Sequence, residues 1–219
     1  MPEGFYIYCN YYKIIAFYLS VLVPELLDSC CLLQLIKREK PKDLKEVDNY
    51  KESLRNLARA GLDLLSYSFM PLFDWLRTDT DYHWHDGSRA LSFSMDSFRV
   101  FDIYILKRPG ATTDYSLQEV KRAAKHFSNM SKEEVDTLSR TIVSGLHGQK
   151  GYSIDSFRSE LARWKGVTNE KLCSNLKYFA GQLLEVAEQE NILFSLHPDD
   201  PSMSLMELPN VASTYCKRF

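Results

Sequence analysis

Two clusters of polar and aromatic side chains have the composition of a chemical site. The first is the run HPDDP, in which His197 precedes Asp199 and Asp200. Imidazole and carboxylate groups together suit a divalent transition metal, and neutral histidine is the commonest metal ligand in proteins. The run is also rich in turn-forming residues, so a simple turn fits the pattern equally well. One loop does not complete a metal site, because three or four ligands are usual.

The second cluster is FMPLFDWLRTD, residues 69–79. Arg77 could hold a substrate carboxylate through paired hydrogen bonds, and Trp75 could form one wall of a sugar site. The competing interpretation is a surface salt bridge next to a core aromatic side chain. On the pattern alone this competing interpretation is the favoured one.

Short apolar runs precede both clusters and predict the strands that would position them. Leu62–Met70 leads into the first cluster and Ile192–Leu196 into the second, and each is expected to be a buried strand preceded by a helix. The carboxyl ends of parallel strands meet at one edge, where α/β folds place their chemistry. We therefore expect neighbouring parallel strands, with Asp74 and His197 at the same end and Arg77 across the same cleft.

The remaining elements are predicted from local signals. Asp86–Gly87 is expected to be the turn of a hairpin that also carries His83 and His85, two side chains that could bind a metal or face solvent. His126 and His147 are expected to be structural. Helices are predicted over residues 49–61, 94–107, 116–127, 135–146 and 168–189. Two of them begin at capping boxes, formed by Ser116 with Glu119 and by Ser131 with Glu134.

Composition bounds the class of protein. The chain has 219 residues, of which 45% are apolar and 26% charged, close to an average globular protein. Its 27 basic and 29 acidic residues give a formal charge of −2, which argues against a dedicated nucleic-acid binder. The length is below the roughly 250 residues of a full (β/α)8 barrel.

The cysteines indicate a reducing environment. There are five, and none forms a C-x-x-C pair, which argues against a zinc ribbon or a thioredoxin-type site. We expect free thiols and a cytoplasmic location. The five are Cys9, Cys30, Cys31, Cys173 and Cys216.

Residues 1–46 are predicted to be a divergent apolar N-terminal segment with a charged connector that starts near Lys37. The most apolar part, Ile14–Val23, is shorter than the roughly 20 residues of a membrane-spanning helix. No basic residue precedes Lys13, and no small-residue cleavage site follows the apolar run, so a signal peptide is not indicated. A membrane anchor remains the alternative to a soluble segment.

The motifs resemble those of the D-mannonate dehydratase family. The runs follow in the order and approximate spacing of that family across residues 47–214, and the pair FMP-x-FDW-x-RTD and HPDDP is the most specific part. The full series is FMPLFDWLRTD, DGSRALSF, ILKRPGA, IVSGLHG, GYSIDSFR, LHPDDP and LP-x-x-x-ST.

The resemblance implies a fold, an activity and a site. Residues 47–219 would be a partial TIM-type (β/α) barrel of the xylose-isomerase-like group, helix-rich and with few parallel strands. The implied activity is a lyase reaction of glucuronate catabolism, in which D-mannonate loses water to give 2-keto-3-deoxy-D-gluconate with Fe2+ or Mn2+ as cofactor. His197 would be a metal ligand, and Asp74, Trp75 and Arg77 would lie at the mouth of the substrate pocket.

Several positions depart from the family pattern. Ser68 stands where Asn is usual, Leu76 where Thr is usual, and Asn210 where Arg is usual. The family also places further metal ligands on strands that have no counterpart in this sequence. We therefore expect the chain to be inactive alone. The alternatives are a sugar isomerase of the same barrel group and a non-catalytic fragment, which could be membrane-attached; the oligomeric state is not indicated.

Overall fold

The computed structural model describes residues 5–8, 36–39, 45–73, 75–146 and 153–211, and for residues 5–8, 45 and 46 it describes the backbone alone. The chain divides into two compact units. The first comprises residues 1–11 and 75–163, and the second comprises residues 12–74 and 164–219. The division of the chain at residues 46 and 47 stays a prediction. Most of the apolar N-terminal segment, Asp74, His147 and four of the cysteines lie outside the described residues.

The first unit contains an antiparallel sheet in the order β1-β4-β3. Its strands are β1 (Phe5–Tyr8), β3 (Asp79–His83) and β4 (Arg89–Ser94). The β3–β4 hairpin turns through Gly87, whose φ of 87° suits a residue without a Cβ, and Trp84 N–H donates to the Ser88 carbonyl across it. The predicted hairpin is therefore confirmed, and β3 carries a bulge between Asp79 and Tyr82.

Helices follow the hairpin without a break. Helix α2 (Met95–Val100) is capped at its N-terminus by Ser94. It continues as a π-helix (Phe101–Ile105), and a 3-10 turn (Ala111–Thr113) follows. Helices α3 (Leu117–Asn129) and α4 (Lys132–Val143) begin at the predicted capping boxes, and α5 (Ile154–Ala162) begins at Ser153. Helix α5 was not predicted. The apolar core of this unit includes the rings of Phe93, Phe98, Phe101 and Phe157.

A buried ionic cluster links the π-helix to the segment that follows it. The Asp102 carboxylate is fully buried and accepts hydrogen bonds from Nε and Nη2 of Arg108 at 2.8 and 2.7 Å and from the Tyr115 hydroxyl at 2.8 Å. Burial and the neighbouring Asp102 charge raise the pKa of the Tyr115 phenol. Arg158 donates from Nε and Nη2 to the Leu106 carbonyl at 2.9 and 2.7 Å, which caps the same segment.

The described part of the second unit combines two strands with two long helices. Its elements are α1 (Lys45–Arg59), β2 (Leu64–Ser68), α6 (Asn169–Gln189) and β5 (Leu193–His197). Strands β2 and β5 are parallel neighbours, in register from Leu64 opposite Leu193 to Ser68 opposite His197. This confirms the predicted strand pair and gives a helix-rich α/β structure with few strands.

Helix α6 buries the apolar side that its sequence predicts, at Leu172, Leu176, Phe179, Leu183 and Val186. The Phe179 ring lies 5.3 Å from Tyr50 of α1 and 6.1 Å from Tyr67 of β2, measured between ring centroids. Helices α1 and α6 and one face of the β2–β5 sheet therefore share a core.

Three sequence-based expectations are wrong. The strands are not buried on both faces, because Leu64 is 59% and Leu193 69% exposed. Lys37 is not part of a solvated connector, because its side chain is fully buried and Nζ donates to the Met70 carbonyl at 2.9 Å. The cysteines are not all free thiols, because Cys173 is in a disulfide bond.

Among the helices of the described residues, none is both long enough and apolar enough to cross a membrane.

Candidate functional site

The carboxyl ends of β2 and β5 bring a hydroxyl and an imidazole side by side. Ser68 and His197 are register partners at the last position of the two strands, and both are half-buried. Side chains of register partners in a parallel sheet project from the same face. The Ser68 hydroxyl oxygen accepts a hydrogen bond from the Met70 N–H at 3.3 Å, which fixes the backbone as it leaves the strand. His197 therefore lies where the sequence predicts it, at a strand end.

The loop after β5 is tied to a later segment of the chain. Asp199 is 6% exposed, and its Oδ2 accepts a hydrogen bond from the Val211 N–H at 2.8 Å. The peptide bond between Asp200 and Pro201 is cis. Asp199 thus fixes the backbone at Val211 to the loop that follows β5. Whether either carboxylate orients His197 stays a prediction.

Asn210 brings an amide into this neighbourhood. The backbone N–H of Asn210 donates to Oδ1 of Asn169, the first residue of α6, at 3.0 Å. Its own side-chain Oδ1 is buried and accepts no hydrogen bond from any residue that the structure describes. Leaving a buried acceptor unsatisfied is costly. This is the position at which an Arg is usual in the family that the motifs resemble.

Lys37 is a feature of this strand end that sequence reasoning missed. Its ammonium donates to the Met70 carbonyl just after β2 and lies 5.6 Å from the centroid of the Phe69 ring. Its carbonyl accepts a hydrogen bond from Nδ2 of Asn175 in α6 at 2.8 Å. The apolar residue directly before it, Ile36, is also buried and is the one feature of the sequence that could have indicated the burial of Lys37.

The segment with Trp75 and Arg77 belongs to the first unit. Arg77 is 5% exposed, and its Nη1 donates to the Leu76 carbonyl at 2.7 Å, so the side chain is not in a solvent-exposed surface salt bridge. Thr78 fixes the segment to β4, because its N–H donates to the Ser92 carbonyl at 3.0 Å and its Oγ1 accepts from the Ser94 N–H at 2.8 Å. Trp75 is half-buried.

The structure therefore places the sequence-predicted residues in separate groups. Trp75 and Arg77 lie in the first unit and His197 in the second, while Asp74 lies outside the described residues. The convergence of Arg77 and His197 on one cleft stays a prediction. His83 and His85 are exposed on the β3–β4 hairpin, as the solvent-facing interpretation predicts.

The donor set of the described residues does not complete a metal site. Over residues 36–39, 45–73, 75–146 and 153–211, no three His, Cys, Asp or Glu side chains come together in a way that could hold an ion. A metal site requires three or four ligands, and among these described residues no set of that kind surrounds an ion position.

Comparisons with protein-family models and with known proteins all find mannonate dehydratases. The family model of D-mannonate dehydratase (UxuA) matches residues 17–217. A mannonate dehydratase of Marinomonas sp. (strain MWYL1) is 40% identical over 179 residues, which are 81% of this chain and 46% of that protein. A mannonate dehydratase of Chromohalobacter salexigens is 38% identical over 169 residues, which are 77% of this chain and 43% of that protein. The chain thus spans about half the length of the curated relatives it matches.

A solved structure shares the fold. The crystal structure of mannonate dehydratase from Streptococcus suis serotype 2 superposes with a TM-score of 0.51 at 23% identity, over 82% of this chain and 38% of that chain.

Proposed function

This chain belongs to the D-mannonate dehydratase family, and on that premise we propose that it supplies part of the site at which D-mannonate loses water. The observation that carries the proposal is HPDDP at the end of β5, inside the region that the family model matches, with His197 paired in register with Ser68. The family and the relatives carry the name of the dehydratase, so the isomerase alternative is not favoured.

The proposed reaction converts D-mannonate to 2-keto-3-deoxy-D-gluconate in glucuronate catabolism. The C2–H bond and the C3–O bond break, water leaves, and the resulting enol tautomerises to the ketone. The reaction needs a base for the C2 proton and an acid for the leaving hydroxyl. The proposal assigns neither role to a residue of this chain.

We propose the following roles for the residues of the candidate site. His197 contributes one ligand for Fe2+ or Mn2+, and the other ligands come from polypeptide outside the described residues. Arg77 binds the sugar-acid carboxylate, because a buried guanidinium makes strong hydrogen bonds to an anion. Trp75 and Asp74 border the same substrate. The parallel strands β2 and β5 would be two strands of a (β/α) barrel of the xylose-isomerase-like group, in a cytoplasmic protein.

The first experiment uses the chain alone. Purified protein is incubated with D-mannonate and Fe2+ or Mn2+ under reducing, anaerobic conditions, and 2-keto-3-deoxy-D-gluconate is measured. We expect no product, since the described residues hold too few ligands for a metal. Steady product formation that disappears in His197→Ala would show that the chain completes the site by itself.

The second experiment places the candidate residues in a full-length context. Residues 47–211 replace the matching region of the Marinomonas relative, and the chimera is assayed for dehydration. We expect activity, and we expect His197→Ala to lower it by more than about 100-fold, the upper end for residues that only support a metal ligand. His126→Ala, an exposed residue of α3, is the control. A folded chimera in which both variants retain activity would overturn the role of His197.

A further inference from the structure

A strained turn lies in the loop that follows β5. The Leu208 N–H donates to the Leu205 carbonyl at 2.9 Å, and the two residues between them have positive φ angles, 53° at Met206 and 61° at Glu207. This is the pattern of a type I′ turn, which glycine, asparagine and aspartate dominate because a Cβ is strained in the left-handed region. Met206 and Glu207 therefore hold the turn at a cost in free energy.

Such strain collects after the carboxyl ends of the two strands. Five non-glycine residues in the described part of the chain have a positive φ: Leu72, Lys107, Asn191, Met206 and Glu207. Asn191 follows the end of α6, where asparagine is ordinary. Leu72 comes soon after β2, and Met206 and Glu207 come after β5, so three of the five follow the strand ends that carry Ser68 and His197. Strained backbone persists only where surrounding contacts hold it, and it clusters at ligand clamps and switch regions.

Hydrogen bonds and burial hold this loop closed. At its base, Oδ2 of Asp199 accepts a hydrogen bond from the Val211 N–H at 2.8 Å. Inside the loop, the Ser204 hydroxyl donates to the Leu208 carbonyl at 2.6 Å, and the Met206 side chain is only 5% exposed. Residues 199–211, which we call the β5 loop, thus keep the strained turn through contacts that a local opening would break.

The closed β5 loop has a second cost. Oδ1 of Asn210 is buried and accepts no hydrogen bond from any residue that the structure describes. Water would satisfy this oxygen if the loop opened, and the strained turn would relax at the same time. Opening therefore relieves two unfavourable features of the closed loop, and it breaks the contacts at Asp199, Ser204 and Met206.

We propose that the β5 loop is a strained strap that opens and recloses while the rest of the second unit stays folded. Asp199 lies two residues after His197, so its release from Val211 changes the surroundings of the candidate metal ligand. Under the proposed function, on which this use of the motion rests, opening lets a metal ion and the sugar acid reach the end of β5, and reclosing excludes water. The motion itself does not depend on catalysis.

Hydrogen exchange of backbone amides in the full chain tests the motion. The Val211 N–H is bonded to Asp199, so its exchange, followed by NMR on 15N-labelled protein, reports opening at the base of the loop. After correction for intrinsic rates, we expect the Val211 amide to exchange at least about tenfold faster than the Phe179 amide inside α6. Glu207→Gly should slow the Val211 amide at least about threefold, because glycine relieves the strain at an exposed position. Glu207→Ala keeps a Cβ and should not slow it.

Lys107→Gly is the matched control. Lys107 is an exposed residue of the first unit with a φ of 53°, so glycine relieves similar strain at a place outside the β5 loop. The substitution should stabilise the first unit against urea and leave the exchange of the Val211 amide unchanged.

Three results would overturn the proposal: a Val211 amide as protected as that of Phe179, equal slowing by Glu207→Gly and Glu207→Ala, or equal slowing by Lys107→Gly, which would mean global unfolding in place of local opening. Failure of the proposed function is a separate result. If the chimera keeps its activity in His197→Ala, the motion stands and only its use is removed. If the Val211 amide does not exchange by local opening, the motion is wrong and the role of His197 stands.

Discussion

Gly145 lies directly against the backbone carbonyl of Trp75. A Cβ at position 145 would overlap that oxygen, and its neighbour there is backbone that no side-chain rotation can move away. Gly145 follows helix α4, and Trp75 begins the segment that carries Arg77. Because Gly145 has no side chain, the backbone just after α4 packs directly against the backbone of Trp75. This contact fixes the start of the segment that carries Arg77.

Gly145→Ala should destabilise the first unit by about 1–3 kcal/mol, the usual cost of overpacking. Urea denaturation followed by tryptophan fluorescence measures the change. Gly181→Ala is the matched control, because Gly181 lies inside α6 and a Cβ there would meet nothing within 4 Å. That variant should gain about 0.5–1 kcal/mol from helix propensity. Equal stability of the two variants would contradict the close approach.

Arg108→Ala should destabilise the protein by about 3–5 kcal/mol, because it leaves the fully buried Asp102 carboxylate without its counter-ion. Arg89→Ala is the control. Arg89 pairs with Asp81 at 3.0 Å, but both side chains are about 60% exposed, and such pairs are worth about 0–1 kcal/mol. Thermal and urea unfolding of both variants measure the contrast, and similar losses would mean that the Asp102 cluster is not buried in solution.

The Tyr115 phenol should make stability fall at alkaline pH. Its pKa is raised in the folded protein, first by burial and then by the Asp102 charge, whereas the unfolded phenol titrates at about pH 10. Above that pH the unfolded chain releases a proton that the native state keeps, so the free energy of unfolding decreases by up to about 1.4 kcal/mol per pH unit for this group.

Tyr115→Phe isolates this effect. The variant should be less stable than the parent at neutral pH, since it loses the hydrogen bond to Asp102, and the difference should shrink above about pH 10. Part of the alkaline loss should remain, because burial also raises the pKa of Tyr67. A stability difference that stays constant from pH 8 to 11 would count against the raised pKa of Tyr115.

Ser131→Ala should cost about 1 kcal/mol, because the Ser131 hydroxyl accepts the Glu134 N–H at the start of α4. The hydrogen bonds that Ser131 donates to the Glu134 carboxylate also lower the pKa of Glu134. Their stabilising contribution is therefore present at neutral pH and is lost as the pH falls through the lowered value. Urea unfolding at pH 7 and pH 3 should show a smaller effect of the substitution at the lower pH. Ser128→Ala, at an exposed position near the end of α3, serves as the control.

Signals contained within a few residues predicted their elements correctly. Ser116 and Ser131 cap helices with Glu119 and Glu134, and Gly87 turns the hairpin, because each device depends on neighbours in the sequence. The parallel pairing of β2 and β5 was also predicted, from apolar runs followed by polar clusters.

Other features depend on distant parts of the chain and could not be predicted locally. The exposure of Leu193 is one, since a five-residue apolar run does not indicate which of its faces another element covers. Lys37 is another, because its burial depends on the Met70 carbonyl. For the candidate site, the sequence placed His197 correctly at a strand end, while the approach of Arg77 to His197 stays a prediction.

The discontinuity of the second unit affects the order in which the chain folds as it is synthesised. Residues 75–163 of the first unit emerge from the ribosome between β2 and its partner β5. Strand β2 therefore waits for β5, its parallel partner among the described residues, until more than half of the chain has followed it, whereas β3 and β4 pair at once. Such long-range pairing slows folding. The nascent chain thus presents LLSYS as an unpaired strand for longer than any other described strand of residues 45–211, and this segment is where a chaperone would have most to protect.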